Sequence, residues 1–178
     1  GTLVDEPFAV EPYAEVIFQH FLRGPRSATL PRKFKIALAA SNRDPLQQIN
    51  IQDIGIMAVK QNGVEGFRIV AAGGLGSMPV PPLKLYDCLP KDQLIPVCDA
   101  LVRVHHKYGD RTNRAKARLK FVLKAKGDLE KRLAVSERIT AFANYSWQGD
   151  PESGAAIIVS RSARSSPPSS WPSVPSPS

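Results

Sequence analysis

Apolar residues recur at helical spacing in two stretches of the chain. The first stripe follows Pro12, which suits the first turn of a helix, and Gly24-Pro25 is expected to end that helix. Its members are Tyr13, Val16, Ile17, His20 and Phe21. The second stripe predicts a long helix that begins at Asp92 or Ile95. Its members are Leu94, Val97, Cys98, Leu101, His105 and Tyr108.

Continuous apolar runs between turn signals predict strands instead. Pro31 excludes a helix at this point, so residues 33–40 are predicted to be extended. The two further predicted strands are 53–60 and 66–71. Between them, Asn62-Gly63 favours a tight antiparallel hairpin. The connections predicted to be irregular, because they are polar or contain several prolines, are 41–52 and 77–90.

These elements predict an α+β fold, with a small mixed or antiparallel sheet and helices packed on one face. We divide the chain into a helical lead-in at 1–29, an α+β domain at 30–142 and an irregular to disordered tail at 143–178. The end of this tail is rich in Ser and Pro. Such a segment buries too little apolar surface to offset the entropy lost on ordering.

The composition indicates a globular protein with an anionic partner. The 178 residues are 43% hydrophobic, and the net charge is +8. Nucleic acid, an acidic membrane surface or an acidic cofactor would each fit. No apolar run approaches the roughly 20 residues that cross a bilayer, and no export signal is evident. Cys88 and Cys98 are too few for a disulfide framework, so we expect a reducing, cytoplasmic setting. Because the chain begins at Gly1, we also expect its true start to lie upstream.

A basic segment at 109–121 follows the second helix. Thr112 or Asn113 can cap a further helix to about residue 126, which Gly127 would end. On such a helix Arg114 and Arg118 are i, i+4 neighbours and could clamp carboxylates or phosphate. The lysines predicted to occupy another, solvated side are Lys116, Lys120 and Lys124. One more helix is predicted at 128–142.

Two lysines at the start of the first predicted strand are the leading candidates for function. Because strand side chains alternate, Lys33 and Lys35 share one face, roughly 7 Å apart, with Phe34 on the other. Two like charges placed side by side repel each other unless an anion lies between them or water screens them. The pattern therefore indicates either an anion pocket or a solvated strand end. The loop Gly73-Gly74-Leu75-Gly76 would let a flat ligand approach the backbone, or it is a simple bend.

One short segment of the sequence resembles a known family. Leu30-Pro31-Arg32-Lys33-Phe34-Lys35-Ile36 is similar to a signature of the sirohaem-dependent nitrite and sulfite reductases. The order of elements from about residue 5 to 127 resembles the first haem-binding half of those enzymes. The resemblance implies that Lys33 and Lys35 contact the substrate oxyanion on the sirohaem iron. It also implies cofactor-binding residues: Arg118 for the sirohaem carboxylates, Gly73, Gly74 and Leu75 along the macrocycle, and Arg111 and Arg114 in the matching basic motif.

The implied chemistry is reduction of sulfite to sulfide or of nitrite to ammonia, with ferredoxin or a flavoprotein as electron donor in the full enzyme. Family members also hold a 4Fe–4S cluster through four cysteines in their second half. Cys88 and Cys98 match neither the number nor the spacing of those ligands. The family's other substrate-binding arginines lie upstream of the matched region. We therefore expect a fragment or truncated homologue that alone binds sirohaem poorly and catalyses nothing. The missing second half is then a possible partner.

Two other functions fit the same residues. The charge at 103–132 would suit a nucleic-acid-binding module, although the strands lack interleaved aromatic residues. A structural half-domain without chemistry would also fit. The reductase interpretation requires the Lys33 and Lys35 amines to point into a cavity with Arg118 nearby.

Cys98 and His105 share one face of the second predicted helix. We predict that both pack in the core there and do not form a metal site.

Overall fold

A computed structural model describes residues 6–22, 24–41, 48–76, 78–125, 147–148 and 158–159. The helices are α1 (Glu11–Leu22), α2 (Pro25–Ala28), α3 (Leu94–Tyr108) and α4 (Leu119–Ala125). The strands are β1 (Ile36–Ala39), β2 (Ile54–Gln61), β3 (Val64–Ala71), β4 (Leu83–Pro90), β5 (Trp147–Gln148) and β6 (Ile158–Val159). Short 3-10 helices occupy Ile49–Ile51, Lys91–Gln93 and Arg114–Lys116.

The four longer strands form one mixed sheet in the order β1-β2-β3-β4. β1 runs parallel to β2, with Ile36 opposite Ile54, and the other pairs are antiparallel. The predicted hairpin is confirmed: β2 and β3 meet at Asn62-Gly63, whose φ angles of 51° and 82° suit a tight hairpin turn. The α+β class and the mixed sheet are confirmed as well.

The helices lie on one face of the sheet, where the main hydrophobic core forms. Buried side chains of α1 and α3 pack there against alternate residues of β2 and β3, including Ile54, Ile56, Phe67 and Ile69. The lead-in predicted at 1–29 thus contributes α1 to this core. The opposite face of the sheet buries Met57 and Val70 beneath the short helix that contains Ile49. Cys98 and His105 are fully buried on α3, as the prediction of core packing required.

The prediction of an irregular connection at 77–90 was wrong in its second half. Residues of β4 pair with β3 from Ala71↔Leu83 to Gly66↔Pro90, with register shifts between Phe67 and Val70. β4 is an edge strand, where prolines and irregular register are tolerated because one side of the ladder is unpaired. The proline-rich local pattern therefore hid a strand that the pairing with β3 stabilises.

Two predicted elements are shorter or differently built than expected. β1 begins at Ile36, so the two lysines precede its ladder, although Ile54 N still donates to Lys35 O at 3.0 Å. The single helix predicted from Asn113 is instead the 3-10 helix Arg114–Lys116 followed by α4. Asn113 caps the first of these, accepting a hydrogen bond from Ala115 N at 3.0 Å.

The helix predicted at 128–142 lies outside the described residues. Within the predicted tail at 143–178, the structure describes a short antiparallel ladder between β5 and β6. None of the described helices is both long enough and apolar enough to cross a membrane.

Candidate functional site

The lysine segment, residues 30–36, has one exposed and one packed side. Lys33 and Lys35 are exposed, whereas Phe34 is half-buried, so the predicted alternation holds. The Phe34 ring lies 5.2 Å from the ring of His105, centroid to centroid. His105 Nε2 lies 3.3 Å from Arg32 O, within hydrogen-bond distance. Helix α3 therefore holds the segment from its packed side.

A cleft of about 500 Å³ opens beside this segment. Its lining consists of Leu30, Pro31, Arg32, Lys33, Arg111 and Arg114. Arg111 donates hydrogen bonds to Thr29 O (3.0 Å) and His106 O (2.9 Å), which ties the entry of the segment to the end of α3. Arg114 is exposed. Four cationic side chains thus meet around one opening, and such a set attracts an anion.

A second cleft of about 360 Å³ adjoins the first and shares Leu30, Arg32 and Lys33 with it. Its remaining lining is mostly apolar: Phe21, Ser27, Phe34, Ile36 and Val102. The Lys33 side chain therefore borders two openings. Lys35 is exposed but lines neither of these two clefts.

Asp53 is a site residue that the sequence reasoning missed. It is 0% exposed, and its Oδ2 accepts a hydrogen bond from Lys35 N at 3.1 Å. Its Oδ1 lies 3.1 Å from Arg118 Nη2, and its carbonyl accepts from Ala72 N at 2.8 Å. The Asp53 carboxylate thus joins the lysine segment to Arg118, and the backbone carbonyl of the same residue holds Ala72, directly before the glycine loop. An acid directly before a buried apolar strand could have revealed it, because a buried charge needs partners.

Arg118 lies beside the lysine segment but faces the interior. Its side chain is 18% exposed and pairs with Asp53. Its Nε has no hydrogen-bond partner among the described residues. The i, i+4 helical neighbourhood predicted for Arg114 and Arg118 was wrong, because the chain leaves the 3-10 helix between them and α4 starts only at Leu119.

The glycine loop, residues 73–76, packs closely against its own protein. A Cβ on Gly73 would lie 2.2 Å from Asn50 O, and one on Gly74 would lie 3.1 Å from Arg118 Nη1. Gly73 and Gly74 are buried, and Leu75 is 61% exposed. Glycine is therefore required at Gly73 by neighbouring backbone, whether or not a ligand approaches the loop.

Lys120 corrects another prediction. The sequence placed it on a solvated side with Lys116, yet Lys120 is only 4% exposed. Its Nζ donates to Leu75 O at 3.0 Å and to Met78 O at 2.7 Å. The first turn of α4 therefore directs one cation to the glycine loop, while Lys116 is exposed as predicted. The side chain of Lys124 lies outside the description.

Burial shifts two titratable groups of α3. It lowers the pKa of His105, against smaller opposing effects of the Arg32 carbonyl and Asp53, and nearby Arg111 and Arg118 lower it further. Burial also raises the pKa of the Cys98 thiol to about 12, so this sulfur stays protonated and unsuited to bind metal. Among the described residues, no three His, Cys, Asp or Glu side chains gather as a metal site would require.

Comparison with known proteins gives consistent matches. The family model described as "Nitrite and sulphite reductase 4Fe-4S domain" matches residues 3–141. A sulfite reductase (NADPH) hemoprotein beta-component of Myxococcus xanthus is 37% identical over 119 residues, covering 58% of this chain and 21% of that protein. The same component of Nitrobacter winogradskyi is 33% identical over 138 residues, covering 68% and 23%.

A solved structure has a similar fold. The NirA protein of Mycobacterium tuberculosis matches with a TM-score of 0.65 and 27% identity, covering 78% of this chain and 25% of that one. This chain therefore spans about a fifth to a quarter of the length of these relatives.

Proposed function

This chain belongs to the nitrite and sulphite reductase family, and from that premise we propose that it contributes part of a sirohaem-binding, oxyanion-reducing site. In this proposal Lys33 and Lys35 bind the substrate, sulfite or nitrite. The observation that carries it is the cleft where Lys33 meets Arg32, Arg111 and Arg114. A cationic opening of this kind is suited to a ligand with several carboxylates.

The donor set fits sirohaem, a polycarboxylate, better than it fits a metal ion. Arginine forks hold carboxylates bidentately, and the exposed Arg114 would supply such a fork. Arg111 already donates through both terminal nitrogens to backbone carbonyls, so it would add its charge and its remaining N–H groups. Arg118 would act beside them through the part of its guanidinium that Asp53 does not engage. Gly73, Gly74 and Leu75 would border the macrocycle, with the exposed Leu75 side chain offering it apolar contact. When bound, sirohaem would supply the redox chemistry.

Lys33 and Lys35 would supply charge and protons. Reduction of sulfite or nitrite removes oxygen as water, so negative charge develops on oxygen and protons must reach it. Both ammonium groups are exposed and can donate to such an oxygen. The backbone beneath them is anchored at Arg32 O and Lys35 N–H, so both amines extend from a fixed segment toward a bound oxyanion, where they could stabilise its developing charge.

The described residues do not fit a 4Fe–4S cluster. Cys98 is fully buried in the core and Cys88 is half-buried at the β3–β4 pair, so neither joins a ligand set. The cluster and the contacts of an electron donor, ferredoxin or a flavoprotein, are therefore assigned to a complementary second half. On its own, the 178-residue polypeptide is expected to bind sirohaem weakly and to reduce neither anion.

An absorbance titration with sirohaem tests the proposal. We compare the unmodified chain with Arg32→Gln/Arg114→Gln, which removes two of the cationic side chains that line the cleft and leaves the hydrogen bonds of Arg111 in place. The matched control is Lys60→Gln/Lys84→Gln, which removes the same charge from two exposed lysines elsewhere. We expect the first pair to weaken binding at least about tenfold, which is about 1.4 kcal/mol, and the control to weaken it much less.

Equal losses of sirohaem affinity in both double variants would show that net charge alone governs binding, and would contradict a specific site. Reduction of sulfite or nitrite by the chain with an artificial electron donor would overturn the expected inactivity. A salt-dependent gel shift that maps to Arg114 and Arg118 would instead favour the nucleic-acid alternative.

A further inference from the structure

Two sets of polar contacts, joined by the backbone of residues 118–120, lie close to the exposed lysines. The first begins at Lys35, whose N–H donates to Asp53 Oδ2, and passes through the Asp53–Arg118 pair. The second lies two residues further along the chain, where Lys120 Nζ donates to the carbonyls of Leu75 and Met78. Arg118, directly before α4, therefore reaches Asp53, which holds Lys35 N–H, and Lys120 in the first turn of α4 reaches the glycine loop.

Asp53 is the point where these contacts converge. Its side chain is 1% exposed, and its backbone carbonyl accepts from Ala72 N directly before the glycine loop. Ala72 has a φ of 61°, an unfavourable angle for alanine, so the surrounding contacts must hold the chain there. Gly74 in turn exchanges two backbone hydrogen bonds with Val80, which closes the loop.

We propose that Asp53 is a positioning residue that holds the lysine segment and the glycine loop in one fixed arrangement through Arg118. The consequence for sirohaem rests on the proposed function, whereas the positioning itself does not. Asp53 touches no ligand in this role. It keeps the backbone under Lys33 and Lys35 at a set place relative to the loop that would border the macrocycle.

The Asp53→Asn variant tests this role with almost no change in size. In the unmodified chain one oxygen of the carboxylate accepts a hydrogen bond from Lys35 N–H, and the other is ion-paired with Arg118. An amide has one acceptor and one donor group, so it can serve only one of these partners. Arg118→Gln in the Asp53→Asn background supplies an acceptor for the new amide and restores a neutral link. The second variant is therefore expected to reverse the effect of the first.

The primary measurement is amide hydrogen exchange in the full chain, followed by NMR. In Asp53→Asn we expect exchange at Lys35 or Gly74 to quicken at least about tenfold, while the β2–β3 hairpin keeps its protection. Asp53→Asn/Arg118→Gln should return both amides to within about threefold of the unmodified rates. Asp87→Asn/Lys84→Gln is the matched control, because it likewise replaces the acid by Asn and the base by Gln in an exposed pair, 2.9 Å apart.

A sirohaem titration provides the second measurement. Asp53→Asn should raise the dissociation constant about tenfold, while Asp87→Asn/Lys84→Gln should leave it within about threefold. Because Arg118 is itself assigned to the sirohaem carboxylates, rescue by Arg118→Gln is judged from amide exchange alone. If the unmodified chain binds no sirohaem, the proposed function fails, and exchange at Lys35 and Gly74 still decides the role of Asp53.

Unchanged exchange at Lys35 and Gly74 in Asp53→Asn would overturn the proposal. Failure of Arg118→Gln to reverse the effect would overturn the link through Arg118. Should Asp53→Asn not fold, the double variant decides alone: wild-type exchange at both amides supports the link, and faster exchange overturns it.

Discussion

The two sides of the lysine segment differ in what surrounds them. On the outer side Lys33 and Lys35 are exposed, and Lys33 borders both clefts. On the inner side Phe34 packs on His105, and the backbone groups of Arg32 and Lys35 lie within hydrogen-bond distance of two buried side chains, His105 and Asp53. Seven residues of one segment thus combine a surface open to ligands with an anchored interior.

This difference separates effects on stability from effects on binding. A buried charge that loses its partner is costly, because neither water nor protein then solvates the other member of the pair. Replacing an exposed lysine changes the free energy of unfolding little, because water solvates that side chain in both the folded and the unfolded states. Changes on the inner side should therefore alter folding, and changes on the outer side should alter anion binding.

The largest effect is expected for Asp53→Ala, which leaves Arg118 buried without its carboxylate. We expect the free energy of unfolding to fall by about 3–5 kcal/mol, measured by urea denaturation and circular dichroism. Asp87→Ala is the control, because Asp87 pairs with Lys84 at the exposed surface, and it should cost less than about 1 kcal/mol. Similar losses in both variants would contradict the contrast between the two sides.

An intermediate effect is expected for His105, and it depends on pH. Because the folded protein lowers the pKa of His105, the unfolded chain binds more protons between that pKa and the ordinary value near 6.5. The neutral His105 ring therefore makes its full contribution to the free energy of unfolding above about pH 6.5, and this contribution is lost as the pH falls toward the folded-state pKa.

We expect His105→Gln to reduce the slope of unfolding free energy against pH, between pH 7 and 5, by up to about 1.4 kcal/mol per pH unit. Urea denaturation at a series of pH values measures this slope. The unmodified chain, measured at the same pH values, gives the reference slope. An unaltered slope in His105→Gln would show that this ring does not set the acid sensitivity.

The smallest effect on stability is expected on the outer side. Lys33→Gln/Lys35→Gln should change the free energy of unfolding by less than about 0.5 kcal/mol per substitution, because both side chains are exposed. The same urea denaturation measures it, with Lys60→Gln/Lys84→Gln for comparison. A loss comparable to that of Asp53→Ala would mean that the lysines support the fold rather than a ligand.

Local patterns in the sequence correctly predicted several elements. Helix α1, helix α3 and the hairpin at Asn62-Gly63 follow from hydrophobic spacing and turn chemistry, which act over a few residues. The exposure of Lys33 and Lys35 on one face also follows from local rules, because Pro31 prevents a helix and side chains of an extended chain alternate between faces. These features depend mainly on near neighbours in the chain, so they can be read from the chain itself.

Other features depended on contacts between distant segments. β4 exists because β3 pairs with it, Arg118 turns inward because Asp53 lies there, and Lys120 is buried because the glycine loop offers it two carbonyl oxygens. A charged side chain has the same local pattern whether its partner is water or a buried carboxylate. Which of the two it meets is settled only when segments 40 to 65 residues apart pack together. Packing removes the charge from water, and the partner must offset the free-energy cost of that desolvation.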